Sequence, residues 1–359
     1  MPKLLDMIAS GQPVPAHRPC PRMVVDETLW NMLAEELALG RLTLLGLWGE
    51  QGAVSMALRD AEDGTLAVAS LACPNGRFPS VGRSHPPAIR LERAVRDLFG
   101  LEPEGISDGR PWLDHGRWAL SRPLATPPGP APEPSAYPFL PTEGEGLHQI
   151  PVGPVHAGII EPGHFRFHAS GETVARLEEQ LGYVHKGTEN LMAGASLERA
   201  AKLVGRVSGD STVAYAVAFA RAAEAAAGIE APARAHVLRA VMAELERVAN
   251  HLGDFGAIAN DASFSLLHAQ CGMLREKTLR AADTALGHRL MRDRILPGGV
   301  AADLDATGIA AIEMLVGDIK ARFPELVELY DNTASLQDRT VTTGFVKPDL
   351  ARQDRKSVV

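Results

Sequence analysis

The chain has 359 residues, 45% of them hydrophobic and 22% charged, with a formal net charge of −8. That length allows two domains with separate cores, and the composition is ordinary for a soluble globular protein. The acidic balance argues against general nucleic-acid binding. No apolar run approaches the roughly 20 residues of a membrane span, and the proline-broken N-terminus does not read as a secretory signal.

From the N-terminus the pattern is mixed. Residues 26–39 have helical apolar spacing. Residues 42–48, 53–59 and 65–71 are short apolar runs separated by turn residues, which predicts antiparallel strands. Residues 87–99 predict a helix with proline near its first turn and Gly100 as its stop. Helix, strands and helix make an α+β module over residues 1–120. Residues 121–146 are dense in proline and glycine, so 121–149 reads as an extended, poorly packed linker. From residue 150 onward a mainly helical bundle with a small β element is predicted. The β element lies at 165–168, with a Ser170-Gly171-Glu172 turn. Helices follow at 197–227, 233–260, 265–286 and 307–330. In the second of these, Val237, Val241, Leu245, Val248 and Leu252 share a face and read as core. Alanine and glycine along these helices imply close packing of backbones. The three cysteines, Cys20, Cys73 and Cys271, have no metal-ligand or redox spacing and read as small buried hydrophobes.

Several motifs carry a more specific signal. GPVHAGIIEPGHFRF at 153–167 and LEEQLGYVHKGTENLM at 177–192 come first. Then Glu244, Arg247, Asn250 and His251 match an E-x-x-R-x-x-N-H helix, and Asn260, Asp261 and Phe264 an N-D-x-x-F turn. An arginine-rich helix at 274–300 ends in P-G-G-V. In this order they resemble the large subunit of energy-converting, formate-hydrogenlyase-type nickel–iron hydrogenases. The 49-kDa subunit of complex I, an NADH–quinone oxidoreductase, is of the same family. Phe78-Pro79-Ser80, Glu92 and Asp97-Leu98-Phe99-Gly100 resemble the 30-kDa subunit of complex I, with Leu91 standing where that family has tryptophan. The order is that of a fused gene.

The resemblance implies a function and also a defect. Where the family has an R-x-C-G-x-C box, this chain reads Arg206-Val207-Ser208-Gly209-Asp210-Ser211. Thiolates are soft, strong donors suited to nickel and iron, whereas a hydroxyl is hard and keeps its proton near neutral pH. Ser208, Asp210 and Ser211 thus mark a cavity that has lost its ligands, and no nickel–iron centre and no hydrogen turnover are expected. The second box, D-P-C-x-x-C, belongs further on. The final DRKSVV reads as translated sequencing adapter, so the chain is expected to be truncated. Glu161 falls on the family's proton-transfer glutamate and becomes a relay if burial raises its pKa; its bland alternative is a capping or paired carboxylate. His164 follows in the same motif and reads as a hydrogen-bonded structural histidine. Glu189 matches a glutamate that helps bind magnesium, its partner histidine belonging to the missing segment. The complex I relative holds quinone with a loop histidine and a tyrosine. Here His156 matches the loop's first histidine, but the quinone-binding positions fall on Ile160 and Gly209.

The resemblance implies a subunit of a membrane-associated complex, cytoplasmic and peripheral to the inner side of the cell membrane. Expected partners are an iron–sulfur small subunit carrying a 4Fe–4S cluster and the membrane subunits. No cofactor is expected on this chain itself, and a quinone remains an open ligand. The alternatives are a structural or coupling subunit without chemistry and, less favoured, an active hydrogenase. The loop at 153–164 and the segment at 206–211 are expected to share one face.

Overall fold

The computed structural model describes residues 3–156 and 160–349. The adapter-like ending lies outside the described residues. Helices and sheets are mixed, consistent with α+β. The chain divides into two compact units, the first made of the residues up to His185 together with those from Val346 on, the second spanning Lys186–Phe345. That division does not fall at the proline-rich segment.

The first unit opens with α1 (Leu4–Met7), β1 (Gln12–Pro13), β2 (Arg22–Val25) and α2 (Glu27–Ala38). Asp26 sets the start of α2, its carboxylate accepting from Leu29 N at 2.8 Å. Then come β3 (Leu42–Glu50), β4 (Ala53–Asp60), β5 (Leu66–Ala72) and β6 (Arg77–Pro79). A 3-10 turn at Pro86–Ala88 leads into α3 (Ile89–Phe99), which Gly100 ends at a φ of 74°. β7 (Glu102–Glu104) pairs with β6. The main sheet runs β1-β2-β5-β4-β3, and only β2 and β5 are parallel. Strand alternation gives it two characters. Val25, Leu71, Ala69, Met56, Leu58 and Leu47 are buried in one core with Trp30, Leu33 and Leu37 of α2. The opposite face carries a polar ladder in which Arg22 binds Ser70 and Glu50, and Ser55 bridges Ser70 and Glu50. A bulge at Leu45 leaves that side chain exposed on edge strand β3.

β8 (Leu147–Val152), β9 (His164–Ser170) and β10 (Thr173–Gln180) form a second, antiparallel sheet that belongs to this same unit. The proline-rich segment is a packed strap, contrary to the expectation of a loose linker. Leu124 N donates to Leu98 O at 2.9 Å, and Ser121 bridges Gly129. Further on, Leu140 N donates to Glu178 at 3.0 Å, and Arg166 lies 3.6 Å from the centre of the Phe139 ring. Proline denies the segment regular pairing, but its carbonyls and aromatic rings still find partners.

The second unit contains α4 (Thr188–Met192), α5 (Leu197–Val204), α6 (Thr212–Ala227), α7 (Ala233–Asp261) and α8 (Ser265–Leu286). The hairpin β11 (Ile295–Leu296) and β12 (Gly299–Val300) follows, then α9 (Ala306–Asp331) and α10 (Ala334–Thr340). The helix expected at 197–227 is broken at 205–211, the serine-bearing segment. The buried seam of α7 is Ala235, Leu238, Met242, Leu245, Ala249, Leu252, Gly256 and Ala259. The expected stripe was one residue off at Val237, Val241 and Val248, where the seam uses Leu238, Met242 and Ala249; Val237 is exposed. A Cβ on Gly256 would stand 2.9 Å from Cys271 Cβ of α8, so the bare Cα permits the close approach. Cys73 and Cys271 are buried and Cys20 is half-buried.

Candidate functional site

The sequence-derived candidates fall into both units, and each group is described by itself. In the first unit the loop before β9 is folded on Gly153, whose φ of 81° suits glycine. A Cβ there would stand 2.2 Å from Gly163 O. His156 Nε2 lies 2.7 Å from the same carbonyl. A carbonyl only accepts, so Nε2 carries the proton and His156 is a loop fastener. His164 Nδ1 lies 3.4 Å from Gly153 O, its ring packs edge-on against Phe139, and its Nε2 is buried without a hydrogen-bond partner among the described residues. Ile160 is 57% exposed and Glu161 is exposed as well. The burial on which a relay role for Glu161 depends is not supplied by the described residues of this unit. Residues 157–159 of the loop lie outside the described residues.

The serine segment is held from three directions. Arg206 makes a two-pronged ion pair with Asp293, both contacts at 2.7 Å. Lys186 Nζ donates to Val207 O at 2.6 Å, and Asn250 of α7 donates to Asp210 O at 2.6 Å. Ser208 donates to the Asp210 carboxylate, and Ser211 donates to the same oxygen at 3.4 Å. The α6 N-terminus that follows has no cap from Ser211. Glu246 reaches across from α7 instead, accepting from Val213 N at 2.6 Å and Ala214 N at 3.0 Å. Burial holds the Glu246 carboxyl above the usual carboxylate range, and the nearby Asp210 charge adds to this. Asp293 is held low by the Arg206 guanidinium.

A shallow cleft opens beside this segment, lined by Leu245, Ala249 and Leu279 and by Asp210, Glu246, Asn250 and Arg275. Its donor set does not fit a nickel–iron centre. The oxygens at the box positions are hard, and Ser208 and Ser211 are turned to one carboxylate. Among the described residues no three His, Cys, Asp or Glu side chains are grouped to hold a metal ion. Glu189 is exposed in the first turn of α4.

Among the described motif residues of α7, Asn250 is the one that reaches the serine segment by a hydrogen bond. Glu244 and Arg247 pair with each other on the exposed face at 2.9 Å. Sequence reading missed Glu246, Asp293 and Arg275. It also missed the buried pair Glu224–Arg239, which pins the P-G-G-V hairpin. Arg239 donates to Leu296 O and Gly299 O, and Glu224 accepts from Gly298 N. The available signal was charge on a buried stripe: Glu224 follows Ala220, and Arg239 follows Ala235, each by one helical turn.

In the first unit the Glu92 and Asp97 matches are structural. Glu92 is fully buried. Its Oε1 accepts from Val81 N and Gly82 N, and its Oε2 from Ser80 Oγ. Asp97 accepts from the backbone N–H groups of Trp112, Leu113 and Asp114.

Comparison with known proteins agrees with the resemblance to the hydrogenase and 49-kDa subunit family. Residues 265–353 match the family of the respiratory-chain NADH dehydrogenase 49-kDa subunit. The chain is homologous to hydrogenase-4 component G of Escherichia coli K12, 33% identical over 323 residues that cover 87% of this chain. It is 30% identical over 285 residues, 77% of this chain, to formate hydrogenlyase subunit 5 of the same organism. It is 31% identical over 204 residues, 56% of this chain, to an NADH-quinone oxidoreductase subunit of Roseiflexus sp. RS-1. The matches span 58%, 50% and 54% of those relatives' own lengths.

Proposed function

We propose that this chain is a subunit of a membrane-associated oxidoreductase complex of the hydrogenase or complex I type, placed next to an iron–sulfur subunit and carrying no nickel–iron centre of its own. The relatives whose names denote subunits of such assemblies support the first part. One observation carries the second: the two box positions are serines whose hydroxyls both turn to Asp210. A hydroxyl offers nickel neither a soft sulfur nor the negative charge that offsets the cation.

On this reading the first unit corresponds to the 30-kDa subunit, and the complex sits at the inner side of the cell membrane. No helix of the described residues is long and apolar enough to cross a membrane; on this reading the partner subunits hold the chain at the membrane. Electron transfer passes through the partner's 4Fe–4S cluster. Quinone, if it binds, does so without the family's histidine and tyrosine contacts, since Ile160 and Gly209 occupy those positions. The packing of Ser208, Asp210 and Ser211 upon one another also favours the structural alternative, in which the chain couples modules without chemistry. Affinity purification of the natural full-length protein from its own cells tests membership. An iron–sulfur protein and membrane subunits are expected to co-purify. Recovery of the chain alone and free of iron would contradict the proposal.

A further inference from the structure

The cleft of the second unit has an unbalanced ledger of charge. Asp210 is matched by two hydroxyls and Glu246 by two backbone N–H groups. Arg289 is matched by Glu276, at 2.7 and 3.2 Å. Arg275 alone among the cleft's charged groups has no hydrogen bond or ion pair with the described residues. It is half-buried on α8, and its five N–H donors have no acceptor among the described residues around it. The chain also makes room for it. Gly253, in the middle of α7, is where a Cβ would stand 3.3 Å from Arg275 Cδ and Nε. A glycine inside a helix is destabilising relative to alanine, and here it clears the path of the guanidinium stem.

We infer that this cleft is a carboxylate site, in which Arg275 receives one carboxylate at the mouth of the cleft. A carboxylate matches the guanidinium fork with two parallel hydrogen bonds. The apolar floor of Leu245, Ala249 and Leu279 suits the short aliphatic stem behind such a group. The carboxylate comes either from a small organic acid or from an acidic side chain of a neighbouring subunit. The second source rests on the proposed membership of a complex; the first does not.

The test is the rate at which phenylglyoxal modifies Arg275, read by mass spectrometry against exposed Arg221 in the same sample. It is measured in the chain alone, in the chain with butyrate at constant ionic strength, and in the purified complex. For a small-acid site, butyrate slows modification of Arg275 in a saturable way, about tenfold at nine-tenths occupancy by mass action, and leaves Arg221 unchanged. For a subunit's carboxylate, protection is found in the complex. There the Arg275→Lys variant is then coupled by carbodiimide to an Asp or Glu of the neighbour. Equal rates in all three samples overturn the inference, as does protection in the complex without carbodiimide coupling. Failure to isolate any complex counts against the proposed function and leaves the butyrate result to decide this inference.

Discussion

Glu92 shows how a matched residue can be structural. Burial lifts its carboxyl to about 7 from an ordinary 4.5. The folded chain therefore holds that proton more tightly than the unfolded chain. Its contribution to stability is complete below about pH 4.5 and is lost as pH rises through 7. A shift of this size is worth about 3 kcal/mol. The Glu92→Gln variant keeps every partner, since its oxygen accepts from Val81 and Gly82 while its amide donates to Ser80. Denaturant titrations are expected to show wild type losing about 3 kcal/mol between pH 4.5 and 8 relative to Glu92→Gln; parallel curves would refute the assignment. The position of Glu92 was legible from its motif, but its role was not. Nothing in a linear string shows that a turn at 80–82 folds back over the helix that carries it. The same holds for Glu246, whose capping duty depends on α7 passing the start of α6.

The elements were read well where periodicity is local. The expected bounds of α8 match its observed bounds, and those of α2, α3 and α7 lie within a few residues. The errors have a common physical source. Helix propensity runs unbroken through 197–227, but tertiary anchors, the Arg206–Asp293 pair and the Asn250 contact, hold 205–211 out of helix. The α7 seam was sought among large side chains, whereas close packing also uses Ala235, Ala249 and Gly256. Leu245→Ala should therefore cost about 2–4 kcal/mol, and Val237→Ala less than about 0.5 kcal/mol, in urea unfolding. Equal costs would place the seam on the wrong face. The Glu224–Arg239 pair makes a second test. Arg239→Met alone strands a buried carboxylate and is expected to cost about 3–5 kcal/mol, while the double variant Glu224→Leu with Arg239→Met should cost clearly less.

At the scale of the molecule, the proline-rich segment belongs to the first unit as a strap, and the compact division lies at His185. Composition alone marked that segment as a linker because proline and glycine forbid regular structure. It could not show that Arg110, Glu178 and Arg176 would fasten the strap to the second sheet. A fragment ending at His185 is expected to melt cooperatively and well above one ending at residue 120, which lacks Glu178 and the Tyr137 hydroxyl that partners Arg93. Identical melting of the two fragments would restore the linker reading. The resemblance to the hydrogenase and 49-kDa subunit family was legible, because its motifs lie in order along the chain. The serines at 208 and 211 were visible in the sequence, and their engagement by Asp210 was not.

The central claim is that a hydrogenase-like frame persists here without its bimetallic centre, and nickel content measures it most directly. Elemental analysis of the natural full-length protein, purified with its partner subunits, should find iron from the 4Fe–4S cluster and nickel far below one atom per chain. Ser208→Cys with Ser211→Cys is the companion variant, to be scored for nickel in the same preparation. One nickel per chain in the unmodified protein would contradict the account.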